Sequence, residues 1–288
     1  SPARRGSSLM FSGAPLTRTR MREALAEARQ IIRHRPDDFE GMRKAGRLAA
    51  EILDMITDHV APGVTTDELD RLCHDMTVAN GAVPAPLGYK GFPKSICTSI
   101  NHVVCHGIPG DRKLADGEIV NIDVTVVLDG WHGDSSRMYL VGDKVPVKAR
   151  KLVEVTYDCM MLGIEAIRPG VRLGAIGHAI QQYAEAQRFS VVRDFCGHGL
   201  GRTFHAPPSV LHYGHPDEGP MLEAGMFFTV EPMINAGKYA VKILDDGWTA
   251  VTRDRSLSAQ FEHSVGVTED GVEIFTLSPK GYTKPPYV

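Results

Sequence analysis

Five residues of this chain combine a polar side chain with apolar or glycine-bordered surroundings: Asp123, Asp134, His198, Glu231 and Glu262. A carboxylate set into a strand loses its hydration on folding, and a metal ion compensates for that loss most directly. Four carboxylates and one imidazole gathered in one cleft would suit two divalent cations, because carboxylates bridge ions about 3.5–4 Å apart. The pattern supplies the list and not the clustering. Each acid taken alone is equally an acid of a turn or a surface, and a histidine beside glycines is commonly a packing residue.

The elements that must position these groups start with residues 117–134. An apolar, β-branched run holds Asp123, Asp129-Gly130 signals a tight turn, and a second arm carries Asp134. The two aspartates are eleven positions apart, so the turn brings them near each other across a hairpin. Before the hairpin, Met42, Ala45, Ala49, Ile52 and Ile56 predict a long helix ending ahead of Pro62-Gly63. Thr65-Thr-Asp-Glu68 is a capping box opening a second helix to about Asn80-Gly81, and β-prone residues run from Ile96 to Val104. The second half repeats this order, with helices over 151–167 and 173–187, β-prone Val191-Val192, then Cys196-Gly-His198-Gly and Gly225 to Glu231. Pro-Gly-Val recurs at 62 and 169, and turn glycines at 117 and 225 each stand six residues before an acid, Asp123 and Glu231. Two copies of one unit, about 39–145 and 146–277, would set those acids in corresponding strands.

Composition is that of a soluble globular chain: 288 residues, 43% hydrophobic, 23% charged. A formal net charge of −3 gives no global reason for nucleic-acid binding. Five cysteines without CxxC spacing argue against a disulfide framework or a zinc knuckle and fit a reducing, cytoplasmic compartment. No apolar run approaches the roughly 18–20 residues of a membrane span. Residues 1–38 stand apart, with eight arginines and no lysine. They read as a flexible basic extension with a short helix over 19–32, serving as a tail, a docking arm for an anionic surface such as ribosomal RNA, or an organelle-targeting segment. Removing them is expected to weaken ribosome co-sedimentation and to leave peptide turnover intact.

The motifs Leu87-Gly-Tyr-Lys-Gly-Phe-Pro-Lys-Ser95, Asn101-His-Val-Val-Cys-His-Gly-Ile-Pro109, His132-Gly-Asp134, Gly197-His-Gly-Leu-Gly201, Phe204-His205, Phe228-Thr-Val-Glu-Pro-Met233, Asp246-Gly-Trp-Thr249 and Ser258-Ala-Gln-Phe-Glu-His263 together resemble the type I methionine aminopeptidases over residues 39–277. The resemblance implies an α+β chain with the pita-bread fold, an antiparallel sheet flanked by helices with an internal pseudo-twofold repeat, leaving 278–288 as a tail. It implies that Asp123 binds one metal, His198 and Glu231 the other, and that Asp134 and Glu262 bridge both. A bridging water would attack the first peptide carbonyl of nascent chains beginning with Met and a small second residue. Glu231 would be the general base, His205 would stabilise the oxyanion, and His106 would contact the scissile nitrogen. Tyr89, Phe92, Cys97, Phe204 and Trp248 would line the methionine pocket, where Pro86 replaces a cysteine of some bacterial relatives. The ions would be drawn from cobalt, manganese, iron, zinc or nickel. A monovalent cation would sit near Asn101, Val103 and Ser258, and the protein would be a monomer.

Three competing readings fit less well. Proline-directed peptidases of the same fold carry an extra folded N-terminal domain. Type II methionine aminopeptidases carry a helical insertion between the motifs of His205 and Glu231, where this chain has residues 206–230 only. A metal-free binding module of this fold would have lost ligand positions that are all filled here.

Overall fold

The computed structural model describes residues 17–288, so the first sixteen residues of the expected basic extension lie outside the described residues. Thr17 caps helix α1 (Arg18–Gln30), its hydroxyl accepting the Arg20 N–H at 3.3 Å. The helix lies against the strand Ala206–Val210, where the Glu27 carboxylate accepts the Ser209 N–H at 3.2 Å. Packing into the main body begins before Phe39, the border expected from the sequence. Ile31 is buried in the larger core, the His34 N–H donates to the Gly225 carbonyl at 2.8 Å, and the His34 ring stacks on Phe227 at 4.1 Å. Ile31 and His34 thus anchor to the body a stretch that the sequence assigns to the basic extension. The surrounding arginines hide an isoleucine and a histidine that fill an apolar gap.

Four further helices are α2 (Asp38–Ile56), α3 (Thr66–Ala79), α4 (Val147–Glu165) and α5 (Gly174–Ala186). The apolar stripe of α2, from Met42 through Ile56, is fully buried, and the Thr65 hydroxyl accepts the Glu68 N–H at 3.1 Å at the start of α3. Helix α4 starts four residues earlier than expected, at Val147 directly after Pro146.

Every strand pairing is antiparallel among the described residues. The strands Ile119–Leu128 and Trp131–Leu140 form the expected hairpin, closed by Asp129 and Gly130 at φ 51° and 83°, the positive angles that a two-residue type I′ turn requires. The β-prone run 96–104 is two strands, Cys97–Ile100 and Val103–Cys105, because Asn101 turns the chain at φ 53°. Cys97–Ile100 and Trp131–Leu140 flank Ile119–Leu128. In the same manner Gly197–Gly199 and His263–Val267 flank Phe227–Val230. The second unit reaches His263–Val267 only after an excursion through Met233–Asn235, Val241–Ile243, Ala250–Thr252 and Ser258–Gln260.

The two halves meet where Ser136 and Glu262 exchange backbone hydrogen bonds of 3.2 and 3.1 Å. Gly133 admits α2 onto the hairpin at that point, since a Cβ there would lie 2.2 Å from the Ala45 carbonyl oxygen. This is the pita-bread fold, with antiparallel sheets flanked by paired helices in two pseudo-equivalent halves. Residues 278–288 are strapped to the body: Tyr287 donates to the Met138 carbonyl at 2.6 Å and Lys284 pairs with Asp158 at 3.1 Å.

Candidate metal centre

The hairpin register sets Asp123 opposite Ser136 and Asp134 opposite Thr125. The aspartates are thus diagonal neighbours, and a two-residue offset keeps both side chains on one face. Asp134, 3% exposed, is held at three points. The Thr125 hydroxyl donates to its Oδ1 at 2.9 Å, its N–H donates to the Ser264 hydroxyl at 3.3 Å, and that hydroxyl donates to its carbonyl at 2.6 Å.

His198 reaches the same place from the second half. Its Nε2 lies 3.3 Å from Asp134 Oδ2 and 3.8 Å from Glu231 Oε2. The Gly199 carbonyl lies 3.0 Å from Nδ1, so the proton on Nδ1 is held there and the Nε2 lone pair faces the acids. Glu231 follows the strand Phe227–Val230, and Glu262 occupies the junction of the halves. One ligand atom from each of Asp134, His198, Glu231 and Glu262 lies within 4.8 Å of the others. Asp123 stands beside this group. Burial, then Asp134 and Glu231, push its carboxyl well above the usual range, and burial followed by Asp134 does the same to Glu231. Glu262 is 1% exposed, and neither of its carboxylate oxygens has a hydrogen-bond partner among the described residues. Two oxygens without a partner among the described residues, in a nest of acids and one imidazole nitrogen, make a donor set that could hold divalent cations, and these residues fit such ions.

The remaining expected residues fall into two aromatic groups. Tyr89 packs on Phe204 at 4.8 Å and its hydroxyl lies 2.9 Å from His205 Nδ1, while His205 stacks on Phe204 and stands 4.1 Å from the His198 ring. Desolvation, then the neighbouring His198, lower the pKa of His205. Phe92 meets Trp248 edge-on at 5.2 Å, and Trp248 meets His106 at 6.4 Å. His106 takes φ 58°, and burial keeps its imidazole neutral-favouring. Cys97 is the cross-strand partner of Asp123 and so faces the same side of the sheet. Pro86 opens the turn ending at Tyr89, whose N–H donates to the Pro86 carbonyl at 3.0 Å across Gly88 at φ 81°. Around the expected monovalent site, the Ser258 N–H donates to the Asn101 carbonyl at 3.0 Å, the Ser258 hydroxyl is buried without a partner among the described residues, and Val103 pairs with Val251.

Several residues given no role in the sequence reading support the site. Thr125 and Ser264 brace Asp134, Phe195 meets His106 at 5.4 Å, and His132 packs on Phe204 at 5.7 Å. His212 is fully buried, with its Nε2 accepting the Glu231 N–H at 3.1 Å. Thr125 was findable, since it shares a strand face with Asp123. His132, Ser264 and Phe195 lie within three residues of Asp134, Glu262 and His198, but nothing in the sequence says which neighbours they touch, and His212 comes from a separate segment.

A buried acid–imidazole centre at the seam of two pseudo-equivalent halves defines a metal-dependent hydrolase of the pita-bread fold. The chain belongs to metallopeptidase family M24, whose model matches residues 40–269. It is 65% identical to a methionine aminopeptidase of Rickettsia prowazekii over 255 residues, covering 88% of this chain and 98% of that protein. It is 55% identical to a methionine aminopeptidase of Escherichia coli K12 over 244 residues, covering 84% of this chain and 92% of that protein. The crystal structure of the Rickettsia prowazekii methionine aminopeptidase matches with a TM-score of 0.85 at 64% identity, over 86% of this chain and all of that one.

Proposed function

We infer that this chain is a metal-dependent methionine aminopeptidase of type I, which removes the N-terminal methionine of polypeptides. The observation that carries the inference is the pair of unpartnered, buried Glu262 oxygens inside the cluster with Asp134, His198 and Glu231, in a chain of this family. Asp123, Asp134, His198, Glu231 and Glu262 would hold two divalent cations, Asp134 and Glu262 from between the halves. Such ions, when bound, lower the pKa of water and polarise a carbonyl.

The rest of the chemistry belongs to side chains. Glu231 is the proposed proton acceptor, its carboxylate 3.8 Å from His198 Nε2. The Tyr89 hydroxyl lies 2.9 Å from His205 Nδ1, and the tautomer in which it donates there leaves the His205 proton on Nε2, able to donate to the developing oxyanion. Desolvation, then His198, lower its pKa, which favours the neutral imidazole such a donor needs. His106, wedged between Phe195 and Trp248, is the proposed partner of the scissile nitrogen. Tyr89, Phe92, Cys97, Phe204 and Trp248 supply apolar and aromatic walls suited to a flexible thioether.

Manganese, cobalt, iron, zinc and nickel all suit such oxygen and nitrogen donors, and a monovalent cation near Asn101, Val103 and Ser258 is part of the proposal. So are action as a cytoplasmic monomer, a preference for a small second residue, and a ribosome contact through the basic N-terminal arm, residues 1–38. No helix among the described residues is long and apolar enough to cross a membrane.

The test is cleavage of Met-Ala-Ser, an Xaa-Pro dipeptide and N-acetyl-Met-Ala-Ser by metal-free protein titrated with each divalent metal, beside Asp134→Ala. Metal-dependent release of methionine from the first peptide only, at least about 100-fold weaker in the variant, is expected. Folded protein with no turnover under any metal would overturn the reading in favour of a binding module.

A further inference from the structure

Glu231 sits where the second half of the fold departs from the first. Its counterpart Asp123 lies inside an unbroken ladder, with Ser136 on one side and Cys97 on the other. Glu231 instead follows the last residue of the strand Phe227–Val230 and precedes Pro232, which has no N–H to continue a ladder. Side chains take over its backbone groups. The Gln260 amide donates to the Glu231 carbonyl at 3.1 Å, and the Glu231 N–H donates to His212 Nε2 at 3.1 Å.

His212 is otherwise hard to account for. It is 0% exposed, and an imidazole that accepts at Nε2 carries its proton on Nδ1. That Nδ1 is buried without a hydrogen-bond partner among the described residues. A leucine would fill the same interior without leaving an orphaned donor, so the acceptor at Nε2 is what the imidazole adds. The segment that bears it is fastened to α5. Gly177 lets the Leu211 and Tyr213 carbonyl oxygens come within 2.6 and 2.5 Å of where a Cβ would stand, and Gln181 accepts the Gly214 N–H at 3.0 Å.

We propose that His212 is a positioning residue: by accepting the Glu231 N–H it fixes the backbone from which that carboxylate reaches the metal centre, and so raises the affinity of the centre for divalent cations. The proposal rests on the reading of Glu231 as a metal ligand. Groups that orient metal ligands from behind typically change affinity about 10–100-fold when removed.

The test titrates metal-free wild type, His212→Leu and His212→Gln with Mn2+ alone by isothermal calorimetry, with circular dichroism and melting of the metal-free forms as the folding control. His212→Leu is expected to lose about 10–100-fold in Mn2+ affinity, and His212→Gln, whose Oε1 offers an acceptor at about the reach of Nε2, to stay within about threefold of wild type. Wild-type affinity in folded His212→Leu overturns the proposal. So does a His212→Gln as weak as His212→Leu, which would reduce the residue to a packing role. If the leucine variant does not fold, the glutamine variant decides, with any loss beyond about threefold counting against the idea. A wild type that takes up no Mn2+ removes the metal-centre reading itself, an outcome visible before any variant is compared.

Discussion

His34 and Glu262 illustrate opposite fates of a polar group inside this molecule. Glu262 keeps two carboxylate oxygens in the interior without a hydrogen-bond partner among the described residues, an arrangement that a bound cation would relieve. His34 is neutralised instead, stacked on Phe227 and 5.6 Å from Trp131, with Asp38 at 3.7 Å and Arg202 near it. Burial lowers its pKa more than Asp38 raises it, and Arg202 adds a smaller lowering. The folded value therefore lies below the unfolded value of about 6.5, so the unfolded chain binds more protons in between. The stabilisation is complete above about pH 6.5 and is lost as pH falls through the folded value. His34→Phe keeps the stacking and removes the proton. Its melting temperature should fall less steeply than that of wild type between pH 7 and 5, and parallel curves would exclude His34 as a source of the slope.

Helix α1 and the segment 31–38 differ in what they support. The helix touches the strand Ala206–Val210, whose Ser209 is the cross-strand partner of His198. Residues 31–38 go deeper, with Ile31 in the main core and His34 beside Gly201 and Phe227, next to the loop that carries Phe204 and His205. Truncation after Gln30 should leave Met-Ala-Ser turnover within about threefold, since an exposed helix packed along one strand is a low-stability unit. The same truncation should weaken ribosome co-sedimentation if the arginines dock there. Truncation after Asp38 removes buried Ile31 and His34, and should lower stability by about 2–5 kcal/mol, read by urea denaturation, with a loss of turnover. This revises the expectation that all 38 residues can be removed without consequence to peptide cleavage. Equal stability of the two truncated proteins would refute the distinction.

Across the whole molecule, the face of the hairpin turned away from the metal centre holds the parts together. Arg137 and Asp54 pair at 2.5 Å with both side chains 5% exposed, joining the hairpin to α2. Asp54 also accepts from the Ser278 hydroxyl at 2.6 Å and the Lys280 N–H at 3.3 Å, which ties the C-terminal residues to the same point. Removing one partner leaves an uncompensated buried charge. Asp54→Ala should destabilise the protein by about 3–5 kcal/mol in urea denaturation, although Asp54 takes no part in the metal centre. A loss below about 1 kcal/mol would show the pair to be dispensable.

The sequence by itself determined the hairpin at Asp129-Gly130, the two helix pairs and the duplicated unit, and it named the five acid and imidazole positions as candidates. Each of these is written in local chemistry: turn residues with positive φ, apolar spacing along a helix, or an acid at a fixed step after a glycine. Boundaries followed less well, as at Val147 and at Asn101, where a single turn split one β-prone run. Only the tertiary structure decided that residues 31–38 and 278–288 belong to the packed body, because their partners Phe227, Gly225, Met138 and Asp54 are far away in the chain. It alone set Asp134 diagonal to Asp123 through the strand register, and it alone brought His212 under Glu231. A proline that interrupts a ladder announces a missing hydrogen bond in the sequence, but which side chain supplies the acceptor depends on how α5 and the strands around Phe228 pack.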